Sequence, residues 1–132
     1  MSLVITNAFS LNMLPGHFSE GAFRIRKVDV AEVNRLIRAH DGYTSYIGHL
    51  DMARVVSSHL GIGNSDSLFN RKSYVHSSDD TVVVAQYTGP RLPEGCTSLP
   101  EGATITYYAV SSRWGSLYVL DAEELAQGGY CV

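Results

Sequence analysis

Three short segments, far apart in the chain, hold the side chains whose types and spacing suit chemistry. They are Thr6-Asn7-Ala8-Phe9-Ser10-Leu11-Asn12-Met13-Leu14, Ser45-Tyr46-Ile47-Gly48-His49 and Arg91-Leu92-Pro93-Glu94-Gly95. Between them they supply a hydroxyl, an imidazole, a guanidinium and a carboxylate. Each lies beside an expected strand end or helix start, where free backbone N–H groups can meet an anion. That set suits the cleavage of a phosphodiester. An imidazole titrates near neutrality and can protonate a leaving oxygen with no metal present, which makes His49 the leading candidate acid. Arg91 can rest on a phosphate oxygen while Glu94 orients a ribose hydroxyl or the histidine. Ser10 and the backbone after it can hold a phosphate, with Asn7 or Asn12 adding a side-chain donor.

Taken singly, each residue has a commoner use. A histidine at a helix start caps the helix or bonds a carbonyl, and a serine before a helical turn is an ordinary N-cap. Arg91 with Glu94 in a Gly-Pro loop reads as an exposed ion pair, worth little to stability. A Walker-type phosphate loop is excluded because its glycines and lysine are missing. Metal-dependent hydrolysis ranks well below acid–base chemistry. His49 with Asp51 is the only pair near the site that invites a metal, yet residues two apart on a helix do not share a face, and the sequence holds no HExxH motif. No metal and no cofactor are expected. His17, His40, His59 and His76 lie on loops or helix ends without partners in sequence and read as structural.

The elements that must position these groups follow from the apolar pattern. Leu3 to Thr6 reads as a buried strand, then a tight Asn7-Ala8-Phe9 turn leads into one helical turn that starts near Ser10 and stops before Pro15. Phe18 to Val28 reads as a strand. Asp29 with Glu32 resembles a capping box opening a helix with the stripe Val33, Leu36, Ile37. Tyr43 to Ile47 alternates like a strand, and Leu50, Ala53, Val56 and Leu60 recur at helical spacing until Gly61 offers a left-handed stop. His49 is thereby placed at a strand-to-helix junction. Phe69 to Val75 and Thr81 to Gln86 read as a hairpin across Ser77 to Asp80, and Ala103 to Val110 as a last strand. Leu92-Pro93-Glu94-Gly95 is repeated as Leu99-Pro100-Glu101-Gly102, which predicts two similar turns. Trp114, Tyr118 and a weakly helical Asp121 to Gln127 belong to a tail of unread role. The expected fold is α/β: a single compact domain with a mixed sheet flanked by a few helices.

Composition narrows the partners. A chain of 132 residues with 45% hydrophobic residues can bury a core of its own as one domain. A formal net charge of −3 argues against a surface built for long nucleic acid, which depends on many cations displacing counterions. A nucleotide ligand should therefore be small and enclosed. Among the ten basic residues Arg dominates, and its planar fork is the better grip on phosphate. No apolar run approaches the roughly 18 residues of a membrane span. The opening Met1-Ser2-Leu3-Val4-Ile5 has no basic start and reads as a first strand, not a signal peptide, so a cytoplasmic protein without membrane contact is expected. Cys96 and Cys131 lack metal-ligand spacing and read as free thiols.

The three segments in this order resemble the motifs of the viral type III anti-CRISPR ring nucleases, a family also found in bacteria and prophages. The resemblance covers roughly residues 1–110 and leaves 111–132 as a C-terminal extension of unknown role. It implies a homodimeric mixed α/β protein that binds cyclic tetra-adenylate. It also implies cleavage of that ring without metal into linear di-adenylates ending in a 2′,3′-cyclic phosphate, in the host cytoplasm if the gene is viral. By the same resemblance His49 is the general acid on the departing 5′ oxygen and Glu94 the positioning carboxylate. Ser10 and Arg91 hold phosphate, Asn7 and Asn12 contact the ligand, and Asn70-Arg71 looks like a further phosphate-binding pair. The chain departs from the pattern after Glu94, where it lacks a helix that some relatives have. A sequestering cyclic-nucleotide-binding protein or a dimeric adaptor is the alternative, and His49 with Glu94 favours the enzyme because sequestration needs neither.

Overall fold

A computed structural model describes residues 2–63 and 66–114. Five strands and two helices follow one another as β1 (Ser2–Thr6), β2 (Gly21–Val28), α1 (Val30–Ala39), β3 (Thr44–Ser45), α2 (Leu50–Leu60), β4 (Asp80–Thr88) and β5 (Thr104–Trp114). They form one mixed sheet in the order β2-β5-β4-β1-β3. β1 pairs in parallel with β3 on one side and with β4 on the other. β5 is antiparallel to both β4 and β2.

Period-two alternation divides β1 between two cores. Leu3 and Ile5 join Val83, Ala85, Tyr107 and Ala109 beneath both helices, where Val33 and Leu36 of α1 meet Met52, Ala53, Val56 and Leu60 of α2. Val4 joins Val82 and Val110 on the opposite face. No regular helix longer than one turn covers that second face among the described residues. Its cover is loop: the 3-10 turn Leu11–Met13 and the segment around Tyr74 and His76, tied together by the His76 N–H donating to the Met13 carbonyl at 2.7 Å. Rings fill the gap beneath, Phe9 standing edge-on to His76 at 5.2 Å and Phe18 edge-on to Trp114 at 5.2 Å.

The helix signals behave as the sequence predicts. The Asp29 carboxylate accepts from the Glu32 N–H at 2.8 Å and caps α1. Glu32 in turn bonds Arg35 and, at 2.9 Å, Arg26 of β2, and these two cations hold its carboxyl at about 2, well below the usual range. Gly61, at φ 70°, ends α2 in the left-handed conformation. Four strand expectations are corrected. β2 starts at Gly21, not Phe18, and Tyr43–Ile47 contributes only Thr44–Ser45 to the ladder before the chain turns toward α2. The expected hairpin of Phe69–Val75 with Thr81–Gln86 does not form. Both edges of β4 are already bonded, to β1 and to β5, so no edge remains for a hairpin partner. Phe69 makes a single parallel bridge to Ile47, and the residues after it cross the second face as cover. The last strand outruns its expected end at Val110, so Ser111–Trp114 of the proposed extension are sheet. Tyr118, Asp121–Gln127 and Cys131 lie outside the described residues.

A buried chain of side-chain hydrogen bonds locks the loop cover to the sheet. The Tyr74 hydroxyl donates to Asp80 at 2.7 Å, so it accepts from His76 Nδ1 at 2.7 Å. His76 Nε2 is thereby left to accept from the Ser112 hydroxyl at 2.8 Å. The imidazole is neutral in this arrangement. Burial pushes its pKa down, opposed in part by the Asp80 carboxylate. The unfolded chain therefore binds a proton that the folded chain refuses, and stability is lost as pH falls below about 6.5, the ordinary histidine value. Urea unfolding between pH 7.5 and pH 5.5 should show this loss, and His76→Gln, which cannot titrate, should flatten the slope. Glu32 titrates well below this window and does not mask it.

Candidate active site

β1, β3 and β4 run parallel and finish at the same end of the sheet, with β1 between its two neighbours. In open sheets a crevice outside the carboxyl ends of such strands is the usual ligand site. A cleft of about 1200 Å³ lies there, and its walls include Asn7, His49, Arg91 and Glu94. Each of these four follows the end of one of the parallel strands. Thr6 closes β1 by donating its hydroxyl to the Ala8 carbonyl at 2.9 Å, which shapes the turn that presents Asn7. His49 leaves β3 as the N-cap of α2, with extended backbone at φ −117° and ψ 123°.

The imidazole of His49 makes no capping hydrogen bond and is exposed. This separates it from the other helix-end and loop histidines. His40 Nδ1 bonds the Leu36 carbonyl at 2.8 Å, His59 Nδ1 bonds the Tyr107 hydroxyl at 2.8 Å, and His76 uses both nitrogens inside the core. Each of those three commits its ring to the fold, whereas the His49 ring is left out of it. His17 is exposed on its loop.

Arg91 and Glu94 belong to the loop after β4. The Tyr87 hydroxyl donates to the Pro90 carbonyl on one side of them. On the other, a turn is closed by the Cys96 N–H on the Pro93 carbonyl at 3.1 Å, with Gly95 at φ 79°. The repeated motif builds the same turn again, Ala103 N–H on Pro100 carbonyl at 3.1 Å with Gly102 at φ 81°. Positive φ at the third residue is what a type II turn requires, so the repeat is two like turns. The Gly95 N–H also reaches Asp51 Oδ1 of α2 at 3.3 Å. Asp51 Oδ1 is 3.9 Å from Arg54 Nη1, and Arg54 donates through Nε to Asp66 at 2.7 Å. The Cys96 thiol donates to the Ser98 carbonyl at 2.8 Å.

Ser10, Asn12 and Arg71 do not line the cleft of the single chain. Ser10 is the exposed N-cap of a three-residue 3-10 turn and leaves its hydroxyl out of the cap, and Asn12 is exposed on that turn. So short a turn offers little dipole, which leaves hydroxyl and amide groups as the useful donors. Asn70 is spent on the fold, donating to the Ser45 carbonyl at 2.9 Å and accepting from the Lys72 N–H at 3.0 Å. Its backbone N–H bonds the Ile47 carbonyl at 2.9 Å, so this staple ties the segment that carries the exposed Arg71 to the chain that leads into Gly48-His49. The Arg71 guanidinium stands 5.9 Å from the centre of the Phe69 ring. The cleft also gathers Arg54, Gln86 and Tyr87, which the sequence reading passed over, and Asp51, which it weighed only as a metal ligand. Gln86 is a polar residue at the carboxyl end of a parallel strand, a signal hidden by reading β4 as half of a hairpin. Among the described residues no three His, Cys, Asp or Glu side chains gather as metal ligands.

Comparison with known proteins bears on the fold. B116 of Sulfolobus turreted icosahedral virus is similar in structure, with a TM-score of 0.64 at 24% identity, over 84% of this chain and 99% of that one. No curated protein matches the sequence. The family model described as STIV B116-like matches residues 3–109, from β1 into β5 and across every wall of the cleft. The chain belongs to the STIV B116-like family.

Proposed function

We propose that the protein is a metal-independent ring nuclease that binds cyclic tetra-adenylate across a homodimer and cuts it into linear di-adenylates with 2′,3′-cyclic phosphate ends, shutting down type III CRISPR signalling. The observation that carries this reading is the meeting of Asn7, Arg91 and Glu94 on one cleft with a histidine whose ring the fold does not use. Resemblance of the three motifs to the anti-CRISPR ring nucleases supports it, as does the family to which the chain belongs.

In this mechanism the substrate supplies the nucleophile. A ribose 2′ hydroxyl attacks the neighbouring phosphorus and gives its proton up to water, the bond from phosphorus to the 5′ oxygen breaks, and His49 delivers a proton to that departing oxygen. Arg91 stabilises the charge that builds on the phosphoryl oxygens, and Glu94 orients the attacking hydroxyl. One well-placed acid contributes about 10²- to 10⁴-fold, enough to make His49 decisive. Asn7, Ser10, Asn12 and Arg71 hold the rest of the ring.

A single chain offers few free cations at the cleft. Arg54 is engaged with Asp66, which leaves Arg91 as the exposed guanidinium of the wall. Two copies of Arg71 and Arg91 about a two-fold axis set four cations around a ring of four phosphates. Two equivalent His49 residues then cut opposite linkages and release two halves. Sedimentation should therefore find a dimer at micromolar concentration, with one ring bound per two chains. A monomer that binds one ring per chain would overturn the shared site.

Cleavage should survive excess chelator and yield 5′-hydroxyl and cyclic phosphate ends by mass spectrometry. Activity that appears only with added divalent metal would contradict the acid–base mechanism. Binding of the ring with no cut by the wild-type protein would make it a sequestering protein instead.

His49→Ala should lower the single-turnover rate by about 10²-fold or more while leaving the affinity for cyclic tetra-adenylate within a few-fold, because the imidazole acts on the leaving group. Arg91→Ala should weaken both, since a cation on phosphate acts in ground and transition states alike. Single-turnover cleavage measured beside equilibrium binding separates the two roles. A His49→Ala protein that cuts at the wild-type rate would place the acid elsewhere.

A further inference from the structure

Arg91 and Glu94 ride on an exposed loop, yet the proposed reaction needs them held against His49, which belongs to a different element. The loop is fastened on both sides of the pair. Before Arg91, the Tyr87 hydroxyl of β4 holds the Pro90 carbonyl. After Glu94, the Gly95 N–H reaches Asp51 Oδ1 at 3.3 Å. The first fastening is internal to the β4 end. The second crosses to α2, in the same first turn that His49 caps. The Asp51 carboxylate is set in its turn by Arg54, whose Nη1 lies 3.9 Å away and whose Nε is bonded to Asp66.

We infer that Asp51 is a positioning residue for the proposed reaction, and that its carboxylate oxygen holds the Arg91–Glu94 loop in register with His49 by accepting the Gly95 N–H. The inference rests on the phosphodiesterase reading of the cleft. Asp51 touches no reacting atom in it. The residue acts through the loop, as an acceptor oxygen at the right height on α2. The requirement is for that oxygen more than for its charge, because the partner is a neutral backbone amide.

This distinguishes three variants. Asp51→Ala removes the acceptor and should lower the single-turnover cleavage of cyclic tetra-adenylate about tenfold, the size of one lost hydrogen bond to a charged group. Asp51→Asn keeps an oxygen on the same stem and should restore most of that loss. In an Arg91→Ala background the further loss on Asp51→Ala should be smaller than tenfold, because Glu94 is then the only group left for the loop to position. Hydrogen exchange at the Gly95 amide of the free protein should speed up in Asp51→Ala and not in Asp51→Asn, while the urea midpoint of Asp51→Ala stays close to wild type. Full additivity with Arg91→Ala, equal losses in Asp51→Ala and Asp51→Asn, or unchanged Gly95 exchange in Asp51→Ala would each overturn the proposal. The exchange measurement needs no substrate. A wild-type protein that cuts no cyclic oligoadenylate would therefore defeat the proposed function, while exchange would still decide whether Asp51 holds the loop.

Discussion

The parallel pairing of β1 with β3 and β4 is the constraint on which the rest of the structure depends. Parallel neighbours end at the same edge, so the turns that leave them are forced together however far apart they lie in sequence. Asn7, His49 and Arg91 follow β1, β3 and β4 respectively. An antiparallel arrangement of the same strands would have sent His49 to the opposite end of the sheet from Asn7. The ladder that creates the cleft is narrow on one side, since β3 contributes only Thr44 and Ser45. Reinforcement comes from the chain that follows: Tyr46 N–H to the Ile5 carbonyl at 2.8 Å, and the Asn70 bonds to Ser45 and Ile47. The residues that fix the His49 junction thus come from both of its flanks.

Two helices on one face leave the other face to loops, and loops bury apolar surface only where their own polar groups are satisfied. The chain from Ser112 through His76 and Tyr74 to Asp80 meets that condition on the second face, with both ring nitrogens of His76 and the Tyr74 hydroxyl matched. Such a network is strong while complete and costly when one member is lost. It also explains why a histidine is buried away from the cleft: with two ring nitrogens, one donating and one accepting, it bridges strand and loop where an apolar residue would leave the Ser112 hydroxyl without its acceptor and the Tyr74 oxygen without its donor.

Local signals were legible in the sequence and pairing was not. The cap at Asp29, the helical spacing from Leu50 to Leu60, the stop at Gly61, the short turn after Ser10 and the repeated Pro-Glu-Gly turns all depend on neighbours within a few residues, and each stands where the residue pattern put it. The hairpin of Phe69–Val75 failed because the pairing of β4 depends on strands far away in sequence, which alternation alone cannot report. That one error concealed the crevice at the parallel strand ends, and with it Gln86 and Tyr87. His49 could be chosen from its junction and from resemblance, but its freedom could not. Only the structure reveals that His40, His59 and His76 have each spent ring nitrogens on the fold.

Loop and helix divide the labour at the cleft in a way that suits a closed ligand. His49 caps a helix whose Met52, Ala53 and Val56 are buried under the sheet, so the proposed acid is anchored by the core itself. Arg91 and Glu94 stand on a loop fixed by a few hydrogen bonds, each of which exchanges readily with water and contributes only about 1 kcal/mol. An acid must be aimed at one oxygen to better than an ångström, which favours the rigid element. A cation that first meets phosphate and then follows it benefits from an element that can move. The turn at Gly95 joins the two, since it follows Glu94 directly and returns its N–H to the helix.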